Sequence, residues 1–181
     1  MRPRMLGPIL ATLVACSRET PPAPATTSPP PSASSPSDAL DTMDKRMPVP
    51  LLPMMANHQK EAMREHLVAV QEIVAALHAD DFVAVERAAG RIGFSDQMGR
   101  MCSHMGAGAP GFTEQALAFH HTADEIAIAA KKRDRDGVTK ALDATLKTCT
   151  SCHAVWKQQV VDEATWQRLT SMAPPSHGRP H

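Results

Sequence analysis

The chain has 181 residues, and its 19 lysines and arginines balance its 19 aspartates and glutamates. This zero net charge argues against a nucleic-acid binder, which needs a basic face to neutralise phosphates. Aromatic residues make up only 3% of the chain, whereas an all-β sandwich fills its faces with aromatic and β-branched side chains. The composition therefore favours a single helical domain.

Residues 1–16 have the pattern of an export signal. Arg2 and Arg4 precede an apolar run over Met5–Val14, which is about half of the roughly 20 residues that span a bilayer. The run ends in Leu-Val-Ala-Cys at Cys16, which resembles the lipobox of bacterial lipoproteins, where the cysteine thiol carries a diacylglycerol. By the same resemblance, Ser17 favours the outer membrane. The alternative is an ordinary signal peptide, which would leave the mature protein soluble in the periplasm.

The next segment, residues 17–50, is rich in proline, serine, threonine and alanine. Nine of the chain's 16 prolines lie in it. Such a stretch buries little apolar surface, so the composition predicts a disordered tether that holds a domain away from the membrane. We expect the Pro-rich end of the chain, residues 171–181, to be a disordered tail.

Residues 51–170 contain four segments with apolar side chains at alternating spacings of four and three, the pattern of bundle helices. The first comprises Met63, Leu67, Val70, Val74 and Leu77. The second comprises Phe82, Val85, Ala89 and Ile92, continues through Met98, Met101 and Met105, and contains Gly93 as a candidate bend. The third comprises Phe112, Ala116, Phe119, Ala123, Ile126 and Ala130. The fourth comprises Leu142, Leu146, Cys149, His153, Trp156 and Val160. The pattern predicts an all-α fold, an antiparallel up-down-up-down four-helix bundle.

The fourth segment contains the motif with the most specific chemistry. Cys149-Thr150-Ser151-Cys152-His153 has the spacing CxxCH, the attachment signal of c-type haem. Two thiols at i and i+3 of a helix reach the two vinyl groups of a porphyrin edge, and the next histidine offers its imidazole to the iron. The motif predicts one covalent haem c, with thioether bonds from Cys149 and Cys152 and His153 as the proximal ligand.

Other interpretations of the two cysteines explain less of the sequence. A thioredoxin-like CxxC needs a βαβ setting, and no strand pattern is present. A zinc site needs two further ligands at short spacing, and only scattered histidines are available in this half of the chain. A disulfide between Cys149 and Cys152 would leave His153 without a role. Cys102 is expected to be a small buried apolar residue.

A helical bundle with CTSCH in its last helix, followed by Trp156 and Lys157, resembles the cytochrome c′ family, including its low-spin, methionine-ligated relatives. The resemblance covers roughly residues 54–160. It implies a periplasm-facing monohaem protein, often a homodimer, that transfers electrons to redox protein partners or binds nitric oxide or carbon monoxide. The arginine often found just downstream of the motif in that family has no counterpart here, where Lys157 is the candidate substitute.

The sixth position on the iron has several candidate ligands. If the first and fourth helices are antiparallel neighbours, residues at the same level have numbers summing to about 215, which places residue 62 opposite His153. Met63 is the nearest thioether on the predicted inner face. His66 and His58 are the rival ligands, and an open iron with Met63 as core filler is the remaining alternative.

Further histidines and methionines need an interpretation of their own. Thioethers and imidazoles suit copper, so the helical spacing of Met98, Met101, His104 and Met105 is compatible with a copper site. We expect instead that these methionines fill an irregular core beside a flat cofactor. One of His120 and His121 must point away from the core, and the other is a candidate to contact the haem.

The sequence therefore predicts an electron-transfer cytochrome, anchored by lipid to the periplasmic side of a bacterial membrane, rather than an enzyme. The first alternative is a five-coordinate haem protein that binds nitric oxide or carbon monoxide. The second is a copper-handling lipoprotein.

Overall fold

A computed structural model describes residues 35–172 of the chain. The predicted signal sequence, the lipid site at Cys16, most of the predicted tether and the tail from residue 173 lie outside the described residues. The described part is mostly helical, as predicted, with seven helices and two short strands. The strands were not predicted.

The chain divides into two units between Asp41 and Thr42. The helix α1 (Pro36–Met43) begins in the first unit. Its start is a reciprocal cap, in which the hydroxyl of Ser35 accepts from the Asp38 amide at 3.2 Å and the Asp38 carboxylate accepts from the Ser35 amide at 2.9 Å. The range 17–50, expected to be a disordered tether, thus contains a helix, because a local cap and a proline at the first helical position favour one. Its last residues, 47–50, belong to a strand.

The second unit begins with a strand and a long helix. The strand β1 (Met47–Leu51) is followed by α2 (Pro53–His78), which has a proline at its first position. The prediction for the inner face of α2 was partly wrong, since Leu67 is 69% exposed and Val74 is 52% exposed. Helix α2 instead buries the face that contains Ala69 and Ile73. Val70 and Leu77 of the predicted face are half-buried against the same core, so the prediction was right for part of the face only.

The second predicted segment is two helices, α3 (Phe82–Ile92) and α4 (Asp96–Gly106). The chain breaks at Gly93, where a Cβ atom would collide with the carboxylate of Asp124. That carboxylate accepts a hydrogen bond from the amide of Phe94 at 3.1 Å. Ser95 then caps α4 by accepting from the amide of Met98 at 3.2 Å.

The third and fourth predicted segments correspond to α5 (Phe112–Lys131) and α6 (Arg135–Val155). In α5 the predicted inner residues Phe112, Phe119, Ala123, Ile126 and Ala130 are buried, and the sixth, Ala116, is half-buried. The fourth prediction was wrong beyond Val155, because Trp156–Val160 forms the strand β2 rather than a helix. Strand β2 pairs in parallel with β1, with Met47 opposite Trp156. Helix α7 (Glu163–Met172) completes the described chain.

Two clusters of buried side chains hold this unit together. We call the first the main core; it is formed by α2, α3, α5 and α6, and includes Ile73, Val85 and Ile126. We call the second the strand-end cluster; it gathers around β1 and β2 and includes Leu51 and Trp156. Helix α3 packs on α2 and α5, and α5 also packs on α4 and α6. Between the two clusters the helices leave a cavity.

Candidate functional site

The cavity has a volume of about 440 Å³, within the range of about 300–1,000 Å³ of ligand pockets. Four helices, α2, α4, α5 and α6, supply its walls. Most of the lining side chains are apolar, including Leu67, Val70, Phe112, Ala116, Phe119 and Leu146. The lining also contains Cys149, Cys152 and His153, so the three chemically distinctive residues of the CxxCH motif share one apolar space.

The motif occupies the last two turns of α6. The helix starts at a cap in which the Asp134 carboxylate accepts from the amide of Gly137 at 2.9 Å, and it is held inward by Val138, Leu142 and Thr145. Because the two cysteines are three residues apart on this helix, they lie on one face. Cys149 packs against the main core and Cys152 against the strand-end cluster, so the two thiols lie where the clusters meet.

Both motif cysteines are free thiols, as is Cys102. Burial raises the pKa of the Cys149 thiol. Burial, and then the neighbouring Cys149, raises the pKa of the Cys152 thiol. A redox-active CxxC depends on a lowered pKa. These two thiols therefore lack the electrostatic setting of a thioredoxin-like site.

Helix α5, which packs directly on α6, holds the motif through one side chain. Its Gln115 accepts a hydrogen bond from the indole nitrogen of Trp156 at 2.7 Å and donates one to the hydroxyl of Ser151 at 3.2 Å. Ser151 lies inside the motif, so Gln115 joins it to the residue that begins β2. Gln115 was not predicted as part of the site, because it lies 36 positions from Ser151 and 41 positions from Trp156 in the chain, and no local pattern connects residues so far apart.

Four methionine side chains from α2 and α4 line the cavity. Met63 lines the cavity from α2, and Met98, Met101 and Met105 line it from α4. His58 contributes no lining; its Nε2 lies 2.9 Å from the Sδ atom of Met101, a contact in which only the imidazole can donate. The structure thus brings together Met63 and the predicted methionines of α4, and places His58 behind them.

Two histidines lie on the cavity wall further from the motif. His120 is buried and its Nδ1 donates to the carbonyl of Ile92 at 2.8 Å, because a carbonyl only accepts. The ring of His66 stacks on Phe119 with centroids 4.6 Å apart. Burial, and then the nearby His120, lowers the pKa of His66 from 6.5 to about 4. Burial also lowers the pKa of His120, so both rings are neutral at pH 7.

The other half of the His120–His121 pair points outward, as predicted. The ring of His121 stacks on Phe94 with centroids 4.7 Å apart, and its side chain is 59% exposed. His104 also lies apart from the cavity lining, and its ring contacts that of Trp166 at 5.3 Å. Lys157, the residue expected to replace a downstream arginine, donates to the carbonyl of Asp44 at 3.0 Å.

Between residues 35 and 172, no three His, Cys, Asp or Glu side chains are grouped so that they could hold a metal ion. In the same range, no helix is long and apolar enough to cross a membrane. Comparisons with known proteins found no matching family model, no similar curated protein and no similar solved structure.

Proposed function

We propose that the protein is a monohaem c-type cytochrome that transfers single electrons, with haem c attached through Cys149 and Cys152 and with His153 as the proximal iron ligand. The observation that carries the proposal is the opening of both thiols and this imidazole onto one apolar cavity walled by four helices. In this interpretation α2, the pair α3 and α4, α5 and α6 are the four members of an antiparallel up-down-up-down bundle.

The residues around the cavity fit a haem. The two thiols lie three residues apart on one face of α6, as attachment to two vinyl groups requires, and the apolar walls suit the flat faces of a porphyrin. When bound, the haem would supply one-electron redox chemistry. The chain would supply His153 as the iron ligand. The side chains of Met105, Phe112 and Phe119 would keep water from the porphyrin ring.

We propose Met63 as the sixth ligand. Gln158, just beyond α6, donates to the carbonyl of Ala56 and to the side chain of Gln59, both near the start of α2. These contacts join the residues just after α6 to the start of α2, as an antiparallel arrangement of the two helices requires. Met63 lines the cavity and is 39% exposed, so its thioether is not enclosed in the core. His66 also lines the cavity and remains the rival, whereas His58 lies outside the lining.

We further propose that the cytochrome acts at the bacterial cell envelope, as a lipoprotein anchored through Cys16 on the periplasmic side, with redox proteins as partners. The outer membrane is the favoured site of the anchor, and the membrane contact is through lipid alone. We also propose that the protein forms a homodimer and does not bind nucleic acid. Mass spectrometry of the membrane fraction tests the lipid anchor, since an acylated Cys16 is expected as the mature N-terminus. A mature form that starts at another residue would overturn the anchor.

Covalent haem is tested by expressing the full chain in a bacterial host with export and haem-attachment machinery. The wild type should keep its haem on a denaturing gel. Cys149→Ala and Cys152→Ala should each weaken or abolish the haem stain, and Cys102→Ala, which also removes a cavity-lining thiol, should keep it. Haem that separates from the wild-type chain into acidified organic solvent would overturn the proposal. So would purified protein that holds copper and no haem.

The absorption spectrum of the same preparation tests electron transfer. A six-coordinate, low-spin ferric haem supports it, because an electron carrier keeps both axial positions filled. A five-coordinate, high-spin haem that rapidly binds carbon monoxide would replace it with the gas-binding function.

A further inference from the structure

Arg46 connects the beginning of the second unit to the end of the CxxCH helix. Its Nη1 donates to the carbonyl of His153 at 3.1 Å and to the carbonyl of Trp156 at 3.3 Å. Helix α6 ends at Val155, and the last four carbonyls of a helix have no partner within it. Arg46 therefore supplies a donor and a positive charge at the carboxyl end of α6, where the helix dipole favours a cation.

The guanidinium of Arg46 is itself held in one orientation. The Asp44 carboxylate accepts from its Nε at 3.0 Å and from its Nη2 at 2.8 Å, the two-pronged pairing that suits arginine. Asp44 also accepts from the Arg46 amide at 3.1 Å. These hydrogen bonds hold the pKa of Asp44 at about 2, so the carboxylate is ionised throughout the neutral range.

Strand pairing keeps this group beside α6. Met47, which follows Arg46, is opposite Trp156 in the parallel pair of β1 and β2. Lys157 donates to the carbonyl of Asp44 at 3.0 Å. The backbone of His153 is thus connected through Arg46 to a segment 107 residues away in the chain.

We propose that Arg46 is a positioning residue for the proximal ligand: its two hydrogen bonds fix the backbone at the end of α6 and so orient the imidazole of His153. This inference rests on the proposed haem function. A cation beside the ligand also favours the less positively charged, ferrous state of an iron bound there. Loss of Arg46 should therefore lower the reduction potential and change the ligand geometry that the ferric spectrum reports.

The test compares three variants of the full-length holoprotein. Arg46→Met removes the charge and both hydrogen bonds. Arg46→Lys keeps the charge but lacks the planar fork. Arg87→Met is the control, since it removes one charge from an exposed arginine on α3. The measurements are the haem reduction potential and the ferric electron paramagnetic resonance spectrum.

We expect a lower potential and altered g values for Arg46→Met, a smaller change for Arg46→Lys, and wild-type behaviour for Arg87→Met. Equal potentials and spectra in Arg46→Met and Arg87→Met would overturn the inference. If Arg46→Met yields no holoprotein, the lysine variant decides: a change relative to Arg87→Met supports the inference and no change overturns it. A wild type without covalent haem would instead refute the proposed function.

Discussion

The main core and the cavity differ in the chemistry of their side chains, although α2, α5 and α6 contribute to both. The main core is closed by aliphatic residues such as Ile73, Val85 and Ile126, none of which has exposed surface. The cavity wall combines thioethers, imidazoles and thiols with apolar residues. Protein interiors are normally packed without large voids. One half of the unit thus satisfies its own packing, and the other half has the composition of a binding site.

The largest expected effect comes from removing the proximal ligand. His153→Ala should reduce the yield of holoprotein at least about tenfold, since changes to groups that merely support a metal ligand already cost about 10–100-fold in affinity. Haem absorbance per milligram of purified protein measures this. His121→Ala, on the exposed side of α5, is the matched control and should leave the yield unchanged. A normal yield for His153→Ala would remove this residue from the site.

In the main core, the comparison can be made between two isoleucines of α5. Ile126 is fully buried and Ile128 is 42% exposed. Ile126→Ala should lower the free energy of unfolding by about 2–5 kcal/mol, because it leaves a cavity in close-packed surroundings. Ile128→Ala should cost less than about 1 kcal/mol. Chemical denaturation measures both, and equal losses would contradict the assignment of the core.

The pH dependence of stability should report His66. Its pKa is about 4 in the folded chain against 6.5 without the fold, so between these values the unfolded chain binds the extra proton. The free energy of unfolding should therefore fall as the pH falls from about 6.5 to about 4. The contribution of His66 is at most about 3.5 kcal/mol, at about 1.4 kcal/mol per pKa unit.

Denaturation of the wild type, His66→Leu and His121→Leu at several pH values isolates this contribution. The slope of stability against pH should be smaller in His66→Leu than in the wild type. His121→Leu should keep the wild-type slope, because that ring is largely exposed. Identical slopes in all three would show that His66 is not buried in solution.

A small effect on stability is expected from Met63→Leu, which conserves volume and should cost less than about 1.5 kcal/mol. Its effect on the haem should nevertheless be plain. A low-spin wild type should become high-spin and gain rapid carbon monoxide binding, both visible in the absorption spectrum. The matched variant Met98→Leu, also on the cavity wall, should keep the wild-type spectrum. An unchanged spectrum in Met63→Leu would assign the sixth position to another group, with His66→Leu as the next variant.

The sequence predicted the local features of this chain well. Apolar spacing identified α2 to α6 and nearly all of the buried face of α5, because periodicity reflects which side of a helix avoids water. It did not identify the short helices α1 and α7. It failed for α2, where Leu67 and Val74 continue the apolar repeat but are exposed. The repeat shows that a face is apolar, but it does not show whether a neighbouring helix covers it.

The CxxCH motif is contained in five consecutive residues, so its spacing and its helix were available from the sequence alone. What only the tertiary structure decided is what surrounds it. The end of α6 at Val155, the pairing of β1 with β2, and the contacts of Gln115 and Arg46 all join residues far apart in the chain. Such contacts depend on how the helices pack against one another, and no local pattern of residues encodes them. For the same reason, the gap between the main core and the strand-end cluster appears only when four helices are placed together.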